Sequence, residues 1–311
     1  MSGMKFKSIT DMKFELPPKM VCIAAAADSR VLNSVKMALA DGLGSFTLVG
    51  DCDGIIEVAE EIQLDLKGVR LIDQPSPEQA AQHACHLAGA GEVDVVVKGT
   101  VNTADFLRGV LNPHNGLRTG RVLSHVGIFD IPTYDRLLYV TDAGIIIKPT
   151  FEEKKQIIQN AVELAVSLGI HVPKVALLAA VETVNPKMEA TLEAAALAKM
   201  AERGELRGAI VDGPLALDNA VSKDAVLSKG IKSEVAGAAD ILVVPNIEVG
   251  NVLVKSLTYF AGATFGGVVQ GARVPIVMTS RADSAEMRYL SLIVACVSSH
   301  LNSIKSAIRK H

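Results

Sequence analysis

The chain has 311 residues, 49% apolar and 21% charged, which excludes a disordered polypeptide and allows either one large core or two of roughly 150 residues. Lysine and arginine total 31 against 34 acidic residues; the formal charge of −3, with no basic run, gives no electrostatic reason to expect a nucleic-acid partner. Aromatic residues make up only 4% and tryptophan is absent, a composition that suits parallel strands covered by close-packed helices. No run reaches the roughly 18 uninterrupted apolar residues of a membrane span. The opening Met1-Ser-Gly-Met-Lys-Phe-Lys lacks a secretory pattern, so a reducing cytoplasm without membrane attachment is expected. The four cysteines, Cys22, Cys52, Cys85 and Cys296, stand far apart and read as small buried apolar residues rather than a zinc knuckle or disulfide framework.

Short apolar runs alternate with helical stretches along most of the chain. Met20 to Ala27 reads as a strand, followed by Asp28-Ser-Arg and a helix to about Ala40. Phe46–Val49, Val69–Ile72 and Val93–Lys98 continue the strands, with helices over about 54–64 and from Pro75-Ser-Pro to near Gly89. This rhythm is that of right-handed βαβ units and builds a parallel sheet. It breaks at Asn112-Pro-His-Asn-Gly116, after which Val122–Phe129, Leu137–Val140 and Ile145–Ile147 read as strands with no helix between them. A second domain is therefore expected over 122–283. The first would comprise 1–121 and the last helix, about 284–311, packed back onto it.

Within the second part, Thr150-Phe-Glu-Glu153 has capping-box spacing and Gly169 ends the helix it opens. Val175–Ala180 is the next strand, and Asn185-Pro186 reads as a cap and first position of a helix to about Arg203. Ala209–Val211, Ile241–Val244, Thr264–Val269 and Pro275–Met278 complete the strands, with helices beginning near Ala216 and Val249 and a final one over 284–309.

Four strand-to-helix junctions carry polar residues where open α/β sheets bind ligands. Thr279-Ser280-Arg281 follows the last strand, with a helix expected from Ala282 onward; free N–H groups there suit an anion, although a cap plus a solvated charge is an equal reading. Lys98-Gly99-Thr100-Val-Asn102 opens a helix whose Arg108, with Arg118 and Arg121, can close on phosphate oxygens, and capping with surface arginines again competes. Asp212-Gly-Pro-Leu-Ala-Leu-Asp218 reads as a turn whose acids can orient a ligand, with ordinary turn and cap roles the favoured reading. Val244-Pro-Asn246-Ile-Glu-Val-Gly250-Asn251 puts polar groups where a substrate would lie, with Gly250 permitting close approach. No nucleotide P-loop, Rossmann glycine fingerprint, zinc-protease helix or nucleophile elbow is present. The seven histidines do not pair at metal-ligand spacing.

Taken in order over roughly residues 20 to 300, Gly99–Arg108, Asp212–Asp218, Val244–Asn251 and Thr279–Asp283 resemble the phosphate acetyl/butyryltransferase family. Gly213–Asn219 and Thr279–Ser284 are nearer its butyryl branch. The resemblance implies an α/β fold of two domains with mostly parallel sheets and a cleft between them, like the isocitrate and isopropylmalate dehydrogenases. It also implies a homodimer and the reversible reaction of acyl-CoA with inorganic phosphate to give acyl phosphate and CoA, with CoA as co-substrate, no tightly bound cofactor and no metal. By motif, Ser280 and Arg281 would hold phosphate and the developing oxyanion, Arg108 a second anionic group, and Thr100, Asn102, Ser124, Asn246 and Asn251 would line the substrate site. The acetyl branch carries its expected thiol base seven residues beyond the serine. Here that residue is Met287, with Asp283 and Glu286 the nearest acids. A silent CoA or acyl-phosphate sensor, and an NAD(P)-dependent decarboxylating dehydrogenase, are the competing expectations; the latter needs an aspartate cluster for its metal.

Overall fold

The computed structural model describes residues 5–12 and 17–308; Met1–Met4 of the opening stretch and Arg309 of the expected last helix lie outside the described residues. In chain order the elements begin with α1 (Phe6–Met12), β1 (Lys19–Ala24), α2 (Ser29–Ala40), β2 (Gly44–Gly50), α3 (Cys52–Glu61), β3 (Arg70–Asp73), α4 (Pro77–Ala90), β4 (Val95–Lys98) and α5 (Thr103–Leu111). There follow β5 (Ser124–Asp130), β6 (Leu137–Thr141), α6 (Phe151–Ser167), β7 (Lys174–Leu178), α7 (Glu189–Glu202), β8 (Ile210–Leu215), α8 (Leu217–Val221) and α9 (Lys223–Lys229). The chain closes with β9 (Ile241–Val243), α10 (Ile247–Tyr259), β10 (Thr264–Gln270), β11 (Ile276–Met278) and α11 (Ala285–Ile308).

Two compact units emerge, a first of Lys7–Arg121 with Gly266–His311 and a second of Met1–Phe6 with Val122–Phe265. In the first unit the strand order is β3-β2-β1-β4-β11-β10. Every pair is parallel except β10 with β11. The second unit runs β5-β6-β9-β7-β8, with β5 and β6 antiparallel and the remainder parallel.

Local chemistry accounts for these elements. Asp28 caps α2, its carboxylate accepting the Arg30 and Val31 N–H groups at 3.0 Å each, and Ser76 caps α4 with Pro77 in its first turn. Thr150 and Glu153 form the complete capping box on α6. All four residues of β4 are buried, as are Ile23 on the neighbouring β1 and Leu48 on β2 beyond it; burying such a side chain contributes about 1.5–3 kcal/mol relative to exposure. Gly99 is required where β4 ends, since a Cβ there would stand 2.2 Å from the Ala25 carbonyl oxygen.

Several expected elements are corrected. Ile145–Ile147 is not a strand, because the buried Asp142 carboxylate accepts the N–H groups of Gly144, Ile145 and Ile146 and folds the backbone into a loop. Asn185 does not cap a helix: its side chain takes the Lys187 N–H, its carbonyl takes the Thr191 hydroxyl, and α7 starts only at Glu189. Asp212-Gly-Pro214 lies within β8 rather than in a turn after it. Pro214 is tolerated because β8 is the last strand of the second unit's order and its pairing with β7 is irregular there. The first strand stops at Ala24, ahead of Ala25 with φ of 55°. The last helix begins at Ala285, not Ala282, for reasons that bear on the site.

Candidate active site

The first unit brings three strand ends into one row. Ala24 of β1 is in register with Lys98 of β4, and Lys98 with Met278 of β11, all parallel, so the segments after them emerge on one edge. This gathers Ala25–Arg30, Gly99–Asn102 and Thr279–Asp283. Such an edge is where an α/β sheet presents loops to a ligand.

The segment after β11 is a tight turn. The Asp283 carboxylate accepts the Ser280 N–H at 2.7 Å and the Asp283 N–H returns to the Ser280 carbonyl at 3.2 Å. That exchange stops the helix from starting at Ala282. The Ser284 hydroxyl instead accepts the Met287 N–H at 3.2 Å, at the start of α11. The Ser280 hydroxyl oxygen accepts the Ala282 N–H at 3.3 Å, which leaves its own proton to donate. Ser280, Arg281 and Glu286 are exposed.

Two arginines that the sequence reading did not single out grip this turn. Arg288, on α11 and 7% exposed, donates to the Thr279 hydroxyl and, at 2.7 Å, to the Ser280 carbonyl. Arg30, just after the Asp28 cap of α2, donates to the Arg281 carbonyl. Burial lowers the Arg288 pKa, with Asp283 and Asp28 opposing and Arg30 adding to the effect. Lys98 is buried as well, its ammonium donating to the Val101 and Gly99 carbonyls at 3.0 and 3.3 Å. Burial, then the Arg288 and Arg281 charges, push its pKa down. The edge is thus short of negative charge.

The segment after β4 is more structural than expected. The Thr100 hydroxyl and N–H both go to the Ala25 carbonyl, at 3.1 and 2.9 Å. Asn102 is the cap of α5, accepting the Asp105 N–H at 2.9 Å and donating to its carboxylate. That carboxylate also receives Arg108, whose side chain is 72% exposed. Arg108 therefore stands at the surface in the last turn of α5, partly neutralised.

Three other expected site residues belong to the second unit. Ser124 has no exposed surface, and its hydroxyl accepts the Asn160 amide at 2.8 Å, which makes it an interior residue rather than a lining one. Asn246 caps α10, accepting the Val249 N–H at 3.0 Å, and borders a cavity of about 660 Å³ with Lys148, Thr150, Lys154, Glu189 and Glu193. Asn251 is exposed on α10. The cavity's charges are paired: Lys148 with Glu189 at 3.4 Å and the buried Lys154 with Glu193. Among the described residues no group of three or more His, Cys, Asp or Glu could hold a metal ion, and no helix is long and apolar enough to cross a membrane.

Fold and site together define an α/β protein with a cation-rich strand edge carrying an exposed hydroxyl and guanidinium. The family model described as "Phosphate acetyl/butaryl transferase" matches residues 77–296, and the chain belongs to that family. It is 46% identical over 283 residues to the phosphate butyryltransferase of Clostridium beijerinckii, covering 91% of this chain and 94% of that one. To the probable phosphate butyryltransferase of Bacillus subtilis it is 48% identical over 296 residues, 95% of this chain and 98% of the other. The crystal structure of a branched-chain phosphotransacylase from Enterococcus faecalis V583 superposes with a TM-score of 0.81 at 35% identity, covering 91% of this chain and 99% of that one.

Proposed function

We propose that the protein is an acyltransferase that moves a short acyl group reversibly between coenzyme A and inorganic phosphate, preferring butyryl or a branched acyl group to acetyl. The observation that carries this reading is the exposed Ser280-Arg281 turn beside the buried Lys98 at one strand edge. The names of the butyryl relatives support the acyl preference.

In the forward direction a phosphate oxygen attacks the thioester carbon and the carbonyl electrons move onto oxygen. The Ser280 O–H and the Arg281 N–H and guanidinium are the proposed donors to that oxyanion, and Arg281 also holds the phosphate. Removing one such donor typically raises the barrier by about 3 kcal/mol. Collapse breaks the C–S bond and expels CoA as thiolate, and the proton lost by phosphate ends on sulfur. A free thiol has a pKa near 8.5, so the cation-rich edge favours the thiolate by itself. In reverse the thiol proton needs an acceptor, for which we propose Glu286, since one oxygen of Asp283 is committed to the Ser280 N–H. The Ser280 hydroxyl is bonded to the Ala282 N–H rather than to a base, so direct transfer in a ternary complex is favoured over an acyl-enzyme. CoA enters as co-substrate, and the reaction as written needs no other cofactor or metal.

We further propose a cytoplasmic homodimer in which each compact unit is a domain. Val252, Tyr259 and Phe260, at 67%, 70% and 91% exposure, mark an apolar surface along and just beyond α10 that suits a second copy. The test is kcat/KM for acetyl-, propionyl-, butyryl- and isobutyryl-CoA with phosphate. Butyryl- or isobutyryl-CoA is expected to lead. CoA binding without phosphate-dependent release from any of the four would favour the silent sensor instead.

A further inference from the structure

We infer that Arg288 and Arg30 are positioning residues, a pair of carbonyl clamps that fix the orientation of the Ser280-Arg281 turn for catalysis. This rests on the acyltransferase reading. Two consecutive carbonyls, Ser280 and Arg281, are each held by a guanidinium that comes from a different element, α11 for one and the start of α2 for the other. A trans peptide points its C=O and the following N–H in opposite directions. Holding the Ser280 carbonyl against Arg288 therefore turns the Arg281 N–H to the opposite side of the backbone. Holding the Arg281 carbonyl against Arg30 turns the Ala282 N–H likewise, and that N–H meets the Ser280 hydroxyl oxygen at 3.3 Å, orienting the hydroxyl as a donor. The two donors proposed for the oxyanion are thus set by groups that need not touch it.

The second guanidinium contact of Arg288, to the Thr279 hydroxyl, extends the grip to the residue before the turn. Among the described residues the Arg288 Nε–H meets no acceptor, so this buried side chain spends its charge on the turn with incomplete compensation. A residue serving only the core has no need of that charge. The start of α11 thus supplies a cation directed at the turn's backbone.

The experiment compares wild type with Arg288→Met, Arg288→Lys and the exposed Arg30→Met. Readouts are kcat and KM for butyryl-CoA and phosphate, thermal melting, and amide hydrogen exchange of the segment 280–283. Arg288→Met is expected to lower kcat by roughly a hundredfold and Arg30→Met by roughly tenfold, with both KM values within about threefold of wild type, as fits an interaction made only in the transition state. Arg288→Lys restores part of the loss, and exchange in 280–283 quickens in both methionine variants. A folded Arg30→Met or Arg288→Met with wild-type kcat overturns the inference. So does a loss confined to the phosphate KM, which would make the arginines anion ligands. Should wild type release no CoA, the acyltransferase reading fails alone; unchanged exchange in 280–283 would then overturn the clamp independently, and quickened exchange would support it.

Discussion

The two units treat charge at their strand ends in opposite ways. In the first unit Lys98, Arg30, Arg281 and Arg288 crowd one edge, with Asp28 and Asp283 already bound to backbone N–H groups. In the second unit the lysines beside the 660 Å³ cavity are matched one to one with Glu189 and Glu193. An edge with uncompensated positive charge has electrostatic energy to gain from an anion, whereas a set of closed ion pairs must break one first. The contrast supports the proposal that phosphate is handled at the first unit's edge.

The strongest attempt to break that contrast is Arg281→Ala. Loss of an exposed guanidinium should lower phosphate-dependent turnover by about a thousandfold, measured as CoA release, while the melting temperature stays near wild type. Near-normal turnover would remove Arg281 from its role. In the second unit, Lys154→Met strands a largely buried Glu193 and is expected to destabilise the fold by about 3–5 kcal/mol in urea unfolding. Lys154→Met combined with Glu193→Leu recovers most of that, and the folded protein keeps its kcat. A lost kcat in the stable double variant would give this ion pair a catalytic part and blur the contrast.

A milder test uses pH. The Lys98 pKa in the folded chain lies below its ordinary value of 10.5, so from the folded pKa up to 10.5 the unfolded chain holds this proton more tightly. Stability from this group therefore rises with pH through that window and is flat below it. The difference between wild type and Lys98→Met should show the rise, and phosphate, by neutralising the edge, should shrink it. A difference independent of pH would mean that burial and the neighbouring arginines together do not depress this group. The smallest effect is Asn102→Ala, about 1 kcal/mol of stability from a lost cap with little change in KM. A large KM change would return Asn102 to the substrate.

The same contrast explains what the sequence disclosed. Strand ends are legible because an apolar run that stops at hydroxyls and charges is a local pattern, and Thr100, Ser280 and Arg281 do follow strands that end on one edge. The capping box at Thr150 and Glu153 was equally local. Arg30 was hidden because its acceptor lies 251 residues away along the chain. Arg288 was hidden because its meaning depends on where α11 begins, and the Asp283 claim on the Ser280 N–H moves that start three residues beyond the expected Ala282. Ile145–Ile147 misled for a related reason: its apolar run is strand-like, but the carboxylate of Asp142 takes the N–H groups a ladder would need.

The most direct measurement is CoA release from butyryl-CoA by wild type and Arg281→Ala, side by side, with phosphate titrated from zero. Wild type should release CoA only as phosphate is added, and the variant should stay near background at every concentration. Release that ignores phosphate, or equal rates in the two proteins, would contradict a phosphate acyltransferase working at this strand edge.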